Sequence, residues 1–327
     1  MGTNLLNWGL LSTAHINHSL IPPLQESKRN HLLAVTSRSQ ELANEFAKKW
    51  KIPKAYGSYE AMLADPEIDV IYNPLPNHLH AKWTIKAVEA GKHVLCEKPL
   101  ALSVEEVDAI YGAARTHRRV VSEAFMYRHH PQTLKAQELV QSGTLGPLKL
   151  LRGSFTYVMT REGNIRSDPT MGGGSIWDVG CYPISYMRTV IGAEPLEVFG
   201  WQVIGPTGID DSFFGQMQFA DDVYGQFDSS FVMPSHSYME FAGSEATLII
   251  PKPYKPYLNE KIFLVRGKKT ETIKIKGQDL YLGEVEDMAD AILSGGKPRI
   301  SLEDSRANVA VILALLESAR KNIPVKI

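Results

Sequence analysis

The chain is 327 residues long, with 44% hydrophobic residues, 22% charged residues and a formal net charge of -1 at pH 7. This length allows two domains with separate cores, and the near-zero net charge excludes bulk attraction to nucleic acid or to an anionic membrane surface. The two cysteines, Cys96 and Cys181, are too few for a disulfide framework and lack the paired spacing of a zinc site. We therefore expect no metal ion and a reducing, cytoplasmic setting.

The ends of the chain and its apolar runs give no sign of a membrane or of secretion. Residues 1–8 contain no basic residue and no long apolar stretch, so we expect no secretory signal. Nowhere does an apolar run approach the roughly 20 residues that a membrane-spanning helix needs.

Over the first 124 residues, short apolar runs alternate with amphipathic segments. The runs at 5–11, 32–36, 70–72, 94–97 and 120–123 predict strands, and the segments 39–50 and 80–90 have apolar residues at helical spacing. Strands that alternate with helices predict a parallel sheet with right-handed crossovers. We therefore predict an α/β, doubly wound domain over residues 1–124.

A degraded dinucleotide motif follows the first predicted strand. Compared with Gly-x-Gly-x-x-Gly/Ala, the chain keeps Gly9 for the tight turn and Ala14 for close helix packing, but Leu11 replaces the middle glycine. Backbone amides of residues 12–14 would still favour a pyrophosphate at the N-terminus of a helix. The predicted cofactor-binding residues of this turn are Gly9, Ser12, Thr13, Ala14, His15 and Ile16.

The second predicted strand ends in Ser37 and Arg38, where an NAD-specific fold has an acidic residue for the ribose 2′-hydroxyl. Ser37 can donate a hydrogen bond to a 2′-phosphate, and Arg38 can pair with that phosphate or stack on the adenine. These residues favour NADP over NAD. The alternative interpretation is a helix-capping serine followed by a solvated arginine.

Glu97 ends a predicted buried strand, Lys98 follows it, and Pro99 then fixes the direction in which the chain leaves the strand. Ligands of open α/β sheets bind beyond the carboxyl ends of the strands. A charged pair at that place faces solvent, a ligand or each other. Lys98 is therefore a candidate catalytic residue, and the alternative is a surface lysine at the end of a strand.

After Arg128 the pattern changes to longer β-rich runs. One helix is predicted over 132–141, strands over 148–159, 197–204, 213–219, 224–231, 238–250 and 261–265, and helices over 284–293 and 301–321. Patches of alternating polarity suit a large, mostly antiparallel sheet with one face exposed or used for assembly. We predict a second α/β domain, for substrate binding and oligomerisation, over residues 125–327.

Three glycines at 172–174 precede a predicted helix that carries an acid and a phenol. Asp178 and Tyr182 are four residues apart, so both lie on one helix face and can converge on one substrate. The loops at 157–166 and 254–257 are further candidates for substrate contact, and Tyr157 is the residue that we select from them. The alternative is a capping aspartate and a tyrosine of the core.

Three motifs in order give the chain a resemblance to a known family. They are Asn-Pro-Leu-Pro-Asn-His-Leu-His at 73–80, Glu-Lys-Pro at 97–99 after Ala-Gly-Lys-His-Val, and Gly-Gly-Gly-x-x-x-Asp-x-Gly-x-Tyr at 172–182. Together they resemble the Gfo/Idh/MocA oxidoreductases over nearly the whole chain. The Ser-Arg pair at 37–38, Tyr182 and the segment 123–131 are similar to the branch of glucose-fructose oxidoreductase, NADP-dependent xylose dehydrogenase and dihydrodiol dehydrogenase.

This resemblance implies an N-terminal Rossmann domain and a C-terminal α/β domain whose open sheet pairs subunits, as a homodimer or a homotetramer. By position, Lys98 matches the lysine that touches cofactor and substrate, Tyr182 the acid/base residue and Asp178 its neighbour. Many members of the family carry histidine at the position of Tyr182. The resemblance also assigns to the cofactor Leu75, Pro76, Asn77, His80, Glu97, Ile165, Arg166 and Tyr281.

The implied activity is that of an NADP-dependent sugar dehydrogenase or reductase that moves hydride at a sugar-like carbinol carbon, with a small sugar or polyol as its partner. In the hypothesised mechanism, Tyr182 exchanges a proton with the substrate hydroxyl, and a lysine ammonium within about 4–6 Å, that of Lys98, favours tyrosinate. Asp178 binds a neighbouring hydroxyl. One alternative is the reduction of a keto-sugar or deoxysugar intermediate, and another is a regulator that binds NADP without turnover.

Overall fold

The computed structural model describes residues 5–327, so the first four residues, on which the expectation about a secretory signal partly rests, lie outside the described part. Contacts between Cα atoms divide the chain into two compact units. Unit 1 runs to Met126 and resumes over Tyr281–Arg306, and unit 2 comprises Tyr127–Leu280 and Ala307–Ile327.

Unit 1 contains a six-stranded sheet in which every neighbouring pair is parallel. Its strands are β1 (Leu6–Leu11), β2 (Asn30–Thr36), β3 (Lys54–Tyr56), β4 (Val70–Asn73), β5 (His93–Glu97) and β6 (Val121–Ala124). Their order in the sheet is β3-β2-β1-β4-β5-β6, which is the Rossmann order with its switch point between β1 and β4. The predicted doubly wound sheet is confirmed.

Helices connect these strands, and serine side chains begin three of them. The helices are α1 (Asn17–Glu26), α2 (Gln40–Trp50), α3 (Tyr59–Leu63), α4 (His80–Glu89) and α5 (Val104–His117). Ser39, Ser58 and Ser103 accept hydrogen bonds from backbone N–H groups in the first turns of α2, α3 and α5. The predicted helices 39–50 and 80–90 correspond to α2 and α4, whereas β3, α3 and α5 were not predicted.

Unit 2 contains a nine-stranded sheet. Its strands are β7 (Leu148–Thr156), β8 (Glu197–Ile204), β9 (Asp210–Gln218), β10 (Tyr224–Ser230), β11 (His236–Gly243), β12 (Thr247–Ile250), β13 (Asn259–Arg266), β14 (Lys269–Lys276) and β15 (Val325–Lys326). The order is β14-β13-β12-β11-β7-β10-β9-β8-β15, and only β10 and β7 pair in parallel among the described pairs. The predicted mostly antiparallel sheet is confirmed, and the predicted run 238–250 is two strands joined by a turn.

Helices α6 (Pro131–Gln141) and α7 (Cys181–Ile191) belong to unit 2, and α7 packs closely on one face of its sheet. A Cβ atom on Gly153 of β7 would lie 2.9 Å from the Cβ of Pro183 in α7. This close approach explains why glycine occupies that position in a strand. The opposite face carries aromatic side chains that stay exposed, including Trp201 at 49% and Phe214 at 40%.

The chain returns to unit 1 through α8 (Leu282–Leu293) and leaves it again within α9 (Leu302–Lys321). Val285, Met288 and Ala289 of α8 are buried in the same cluster as Trp8 and Tyr72. The segment 281–306 therefore packs with residues 5–126, which differs from a division into the continuous ranges 1–124 and 125–327. An amphipathic pattern shows that a helix has an apolar face but not which core that face joins. The binding roles assigned to the two ranges stay predictions.

Among the described residues, no helix has the combination of length and apolarity that crossing a membrane requires.

Candidate active site

The predicted site residues are divided between the two units, and each group is described within its own unit. In unit 1, β1 ends in a turn that Ser12 makes in the left-handed region, with φ of 97°. Asn17, fully buried, donates from Nδ2 to the carbonyl oxygen of Ser12 at 2.7 Å and stabilises this turn. Ser12 thus adopts the backbone conformation for which glycine is the usual residue. Asn17 was not predicted from the sequence, where its signal is an amide side chain five residues after the strained position.

This turn also changes where the predicted pyrophosphate amides lie. Helix α1 begins at Asn17, so residues 12–14 form the turn before the helix and not its first turn. The backbone N–H of Ala14 donates to the Oγ of Ser12 at 3.2 Å, His15 is exposed, and Ile16 immediately precedes α1. Gly9 lies within β1, where a Cβ atom would approach the Sδ of Met62 to 3.0 Å. Gly9 therefore serves close packing in this fold.

Ser37 and Arg38 lie directly after β2. The backbone N–H of Ser37 donates to the carbonyl oxygen of Tyr56 at 3.0 Å, and the side chain of Arg38 is exposed beside the half-buried ring of Tyr59. Burial raises the pKa of Tyr59, and the positive charge of Arg38 opposes that shift. Ser39 and not Ser37 caps α2, because its Oγ accepts from the N–H of Leu42. The alternative interpretation of Ser37 as the helix cap is therefore wrong.

Glu97 is the last residue of β5, next to the end of β4, and Lys98 follows it. Tyr72 of β4 donates its hydroxyl to Oε1 of Glu97 at 2.5 Å, and the backbone N–H of Lys98 lies 3.3 Å from Oε2 of the same carboxylate. Burial, followed by the charge of Glu97, raises the pKa of Tyr72, so this tyrosine stays a hydrogen-bond donor. Lys98 is half-buried. Tyr72, which fixes the carboxylate beside the predicted catalytic lysine, was not predicted from the sequence as a site residue.

His80 connects the two backbone segments of unit 1 that carry predicted cofactor residues. Its Nδ1 lies 2.7 Å from the carbonyl oxygen of Pro99, and its Nε2 lies 2.6 Å from the carbonyl oxygen of Leu75. Burial lowers the pKa of the ring to about 4, although the two carbonyl oxygens oppose the shift. Both ring nitrogens lie within hydrogen-bond distance of a carbonyl oxygen, so the ring joins the two backbone segments. Pro76 and Asn77, which lie between Leu75 and His80 in the chain, are partly exposed.

In unit 2, the helical segment after the three glycines starts differently from the prediction. Residues Ile176–Gly180 form one turn of π-helix, and the α-helix α7 follows from Cys181. Asp178 therefore lies in the π-turn and Tyr182 in the first turn of α7. Turns of this kind inside helices recur at functional sites.

Tyr182 is held inside a cluster of aromatic rings and is only 5% exposed. Its ring centroid lies 5.7 Å from that of Tyr127, 5.3 Å from that of Phe155 and 5.5 Å from that of Tyr254. Tilted and edge-to-face contacts at these distances are favourable and restrict rotation of the ring. The position of the phenol is thus set by packing on its flanks.

Asp178 receives two donors from the loop 157–166. The hydroxyl of Tyr157 donates to Oδ2 at 2.8 Å, and Nε of Arg166 lies 2.9 Å from Oδ1. Burial, and then the charge of Asp178, raises the pKa of Tyr157, so its hydroxyl remains protonated. The structure therefore brings together Tyr157, Arg166 and Asp178. Arg166 was assigned to the cofactor, and within unit 2 it pairs with the predicted substrate residue.

Two further predicted residues, Ile165 and Tyr281, lie in a loop and just before a helix. Ile165 is 41% exposed in the loop, and Tyr281 precedes α8 and packs partly buried against the core of unit 1. Cys96 and Cys181 are buried free thiols. Among residues 5–327, no group of three or more His, Cys, Asp and Glu side chains is arranged to hold a metal ion.

Comparison with family models identifies both parts of the chain. The model described as an oxidoreductase family with an NAD-binding Rossmann fold matches residues 6–125. The model described as a GFO/IDH/MocA C-terminal domain matches residues 133–249. Together the two models cover more than half of the chain.

Similar proteins include two curated enzymes and one solved structure. The chain is 34% identical to D-xylose 1-dehydrogenase (NADP(+)) 2 of Haloferax volcanii, over 98% of this chain and 99% of that protein. It is 29% identical to trans-1,2-dihydrobenzene-1,2-diol dehydrogenase of Mus musculus, over 98% and 97% of the two chains. The crystal structure of KijD10, a 3-ketoreductase from Actinomadura kijaniata in complex with NADP and TDP-benzene, matches with a TM-score of 0.91 and 26% identity, over 96% of this chain and 98% of that chain.

Proposed function

The chain belongs to the Gfo/Idh/MocA oxidoreductase family, and from that membership we propose that it transfers hydride between NADP and a carbinol carbon of a small sugar or polyol. The matches to the two family models confirm the family that the sequence motifs predicted. The roles of individual residues stay predictions, and each is supported below by its surroundings in the structure.

The observation that carries this proposal is the cluster around Asp178 in unit 2. Tyr157 and Arg166 hold the carboxylate, and Tyr182 follows four residues later on the same helical segment. A carboxylate accepts hydrogen bonds from a hydroxyl, and a tyrosine can exchange a proton with one. Together they suit two neighbouring hydroxyl groups, one that reacts and one that is held. D-xylose and a trans-1,2-diol, after which two similar enzymes are named, both have such a pair.

The cofactor would be bound by unit 1. The strand order has its switch point at β1 and β4, where open sheets bind dinucleotides, and the Ser12 turn lies at the end of β1. The exposed side chain of Arg38 after β2 suits the additional phosphate of NADP, which two of the similar proteins are named or solved with. The nicotinamide of the cofactor would supply or accept the hydride.

The residues of this chain then have the following roles. Tyr182 takes the proton of the substrate hydroxyl during oxidation and returns it during reduction. Asp178 orients the substrate by accepting a hydrogen bond from the adjacent hydroxyl. Lys98 binds cofactor and substrate, and its proposed effect on the pKa of Tyr182 stays a prediction.

The test is the change in reduced-nicotinamide absorbance when the protein is mixed with NADP and a panel of xylose, glucose and trans-1,2-diols. We expect turnover with at least one vicinal diol, and faster turnover with NADP than with NAD. NADP binding without turnover of any of these compounds would contradict the proposal and favour the regulator.

A second experiment tests the role of Lys98. Lys98→Ala should abolish most turnover even at saturating NADP, because it removes the ammonium group that is proposed to act on both cofactor and substrate. The matched control is Lys28→Ala, since Lys28 is exposed and lies in a turn before β2. Near-normal turnover of Lys98→Ala would show that the assignment is wrong.

The second candidate function is reduction of a keto-sugar, which the similarity to the 3-ketoreductase KijD10 favours. The same residues run in reverse, with Tyr182 donating its proton to the carbonyl oxygen. Faster consumption of NADPH with keto-sugars than formation of NADPH with sugars would favour this direction.

We also propose that the protein is a homo-oligomer that pairs through the exposed face of the nine-stranded sheet. Trp201 and Phe214 are neighbours across β8 and β9, and Val203 and Tyr224 lie on the same face, all between 40% and 54% exposed. Apolar patches of this kind mark association sites. Light scattering on the purified protein should show a dimer or a tetramer that Trp201→Glu weakens, and a monomeric wild-type protein would contradict the proposal.

We expect this enzyme to work in the cytoplasm, because both thiols are free and buried and nothing in the cysteine pattern suits an oxidising compartment. Fractionation of the host cell tests this location.

A further inference from the structure

One buried carboxylate that is not among the predicted site residues contacts the helical segment that carries Asp178 and Tyr182. Asp210, the first residue of β9, is 5% exposed, and its Oδ2 accepts hydrogen bonds from the Oγ of Ser175 at 2.7 Å and from the backbone N–H of Ile176 at 2.8 Å. Ser175 and Ile176 are the residues at which the helical segment begins. The carboxylate therefore acts as a helix cap supplied by a strand about 35 positions later in the chain.

The surrounding backbone is shaped to admit this carboxylate. Gly174 has a φ of 122°, and a Cβ atom there would lie 2.1 Å from Oδ1 of Asp210. The Oγ of Ser175 also lies 3.0 Å from the Oγ of Ser229 on β10. The start of the helical segment is thus fastened to two adjacent strands, and the third glycine of the motif is required both by its conformation and by the space that Asp210 occupies.

Burying the Asp210 carboxylate lowers the free energy of unfolding. Burial raises the pKa of Asp210 to about 6, although its bonds to Ser175 and Ile176 oppose the shift. Buried carboxylates are seldom the most stabilising choice for an interior position. Asp210 costs stability, and its carboxylate accepts hydrogen bonds at the start of the segment that carries Asp178 and Tyr182, which suggests a contribution to activity.

We propose that Asp210 is a positioning residue for the reaction, which holds the π-turn and the first turn of α7 so that Asp178 and Tyr182 keep their places. The proposal rests on the proposed function in one respect, since it takes Asp178 and Tyr182 to act on the substrate. It adds that their placement depends on a side chain that touches neither cofactor nor substrate.

The experiment compares three variants of the full-length protein in the most active of the substrates tested. Asp210→Ala removes the acceptor for Ser175 and Ile176, and Ser175→Ala removes one donor and leaves the other. The control is Asp287→Asn in α8, because Oδ2 of Asp287 also accepts a backbone N–H, that of Arg299 at 2.8 Å, and burial likewise raises its pKa. Measurements are kcat, substrate KM, NADP affinity and amide hydrogen exchange of residues 175–182.

We expect Asp210→Ala to lower kcat on the order of 10²-fold, as small misplacements of reacting groups do. Ser175→Ala should lower kcat by a few-fold. NADP affinity should stay within twofold of wild type in both, because the proposed cofactor residues Ser12 and Arg38 belong to unit 1. Exchange of residues 175–182 should accelerate in both variants and stay unchanged in Asp287→Asn.

Three results would overturn the proposal: a kcat within twofold of wild type in folded Asp210→Ala, a loss of kcat matched by Asp287→Asn, or unchanged exchange over 175–182. If Asp210→Ala does not fold, Ser175→Ala decides by the same criteria. If wild-type protein turns over no substrate, the proposed function fails, whereas the exchange measurement still shows whether Asp210 holds the segment.

Discussion

The two units hold their predicted site residues by different physical means. In unit 1, Glu97 ends β5, Lys98 follows it and the adjacent strand β4 supplies Tyr72, so the parallel sheet itself brings the groups together. In unit 2, the segment 175–182 is placed by Asp210 on β9 and by three aromatic rings from separate elements. The difference shows that regular strand geometry positions one half of the predicted site residues, whereas individual side chains distant in sequence position the other half.

Because Tyr182 belongs to unit 2, we expect removal of its hydroxyl to lower kcat and to leave NADP binding by unit 1 unchanged. Tyr182→Phe should lower kcat by about 10²- to 10⁴-fold, the usual contribution of acid/base catalysis, with NADP affinity unaltered. Single-turnover kinetics and equilibrium binding measure the two effects. Tyr186→Phe is the control, because Tyr186 is buried one turn further along α7. An equal loss of NADP affinity in Tyr182→Phe would contradict the proposal that unit 1 binds NADP and that Tyr182 of unit 2 acts only in the chemical step.

His80 should reveal how unit 1 connects its cofactor segments. His80→Ala removes the ring between the carbonyls of Leu75 and Pro99, and a buried unsatisfied carbonyl together with a cavity costs about 3 kcal/mol or more of unfolding free energy. We also expect weaker NADP binding, because both segments are released.

The matched control for His80 is His93→Ala. His93 begins β5, at the opposite end from Lys98, and its Nδ1 accepts one backbone N–H, that of Val120 at 2.9 Å. This variant should lose stability in urea denaturation and keep its NADP affinity. Equal NADP affinity in both variants would contradict the role of His80.

The buried carboxylate of unit 2 should make stability depend on pH. The pKa of Asp210 is raised from 3.8 to about 6 in the folded protein, so the folded state binds a proton more tightly than the unfolded state. The stabilisation is complete below about pH 4 and is lost as pH rises through 6, which amounts to about 3 kcal/mol for this buried group. Relative to wild type, the unfolding free energy of Asp210→Asn should therefore increase by that amount between pH 4 and 7. Urea denaturation curves whose difference stays constant with pH would disprove this.

The smallest effect is expected at the exposed edge of unit 1. Arg38→Ala should raise the KM for NADP by about tenfold, since an exposed charged hydrogen bond contributes near the low end of its range, about 1.5 kcal/mol. The KM values for NAD and for the sugar should not change. Arg115→Ala, an exposed arginine on α5, is the control. An equal change with NAD would show that Arg38 does not recognise the 2′-phosphate.

Sequence patterns predicted the parallel sheet of unit 1 well, because period and composition are local properties. They also placed Lys98 after a buried strand, since the position of a residue beyond a strand follows from the strand itself. They failed at the turn after β1, where Ser12 takes a conformation usual for glycine only with the support of Asn17. They did not indicate that α8 packs into the core of unit 1, because an apolar helix face does not specify which core it joins.

The sequence by itself determined the family, the two kinds of sheet and the identity of the residues that we propose for chemistry. Only the tertiary structure showed that Arg166 and Tyr157 contact Asp178 and that His80 lies between two carbonyl oxygens. It also showed that Asp210, on strand β9, caps the helical segment that begins at Ser175. Hydrogen bonds of buried groups depend on distances between residues far apart in the chain. Those distances arise only when the strands pair and the helices pack, so no local pattern records them.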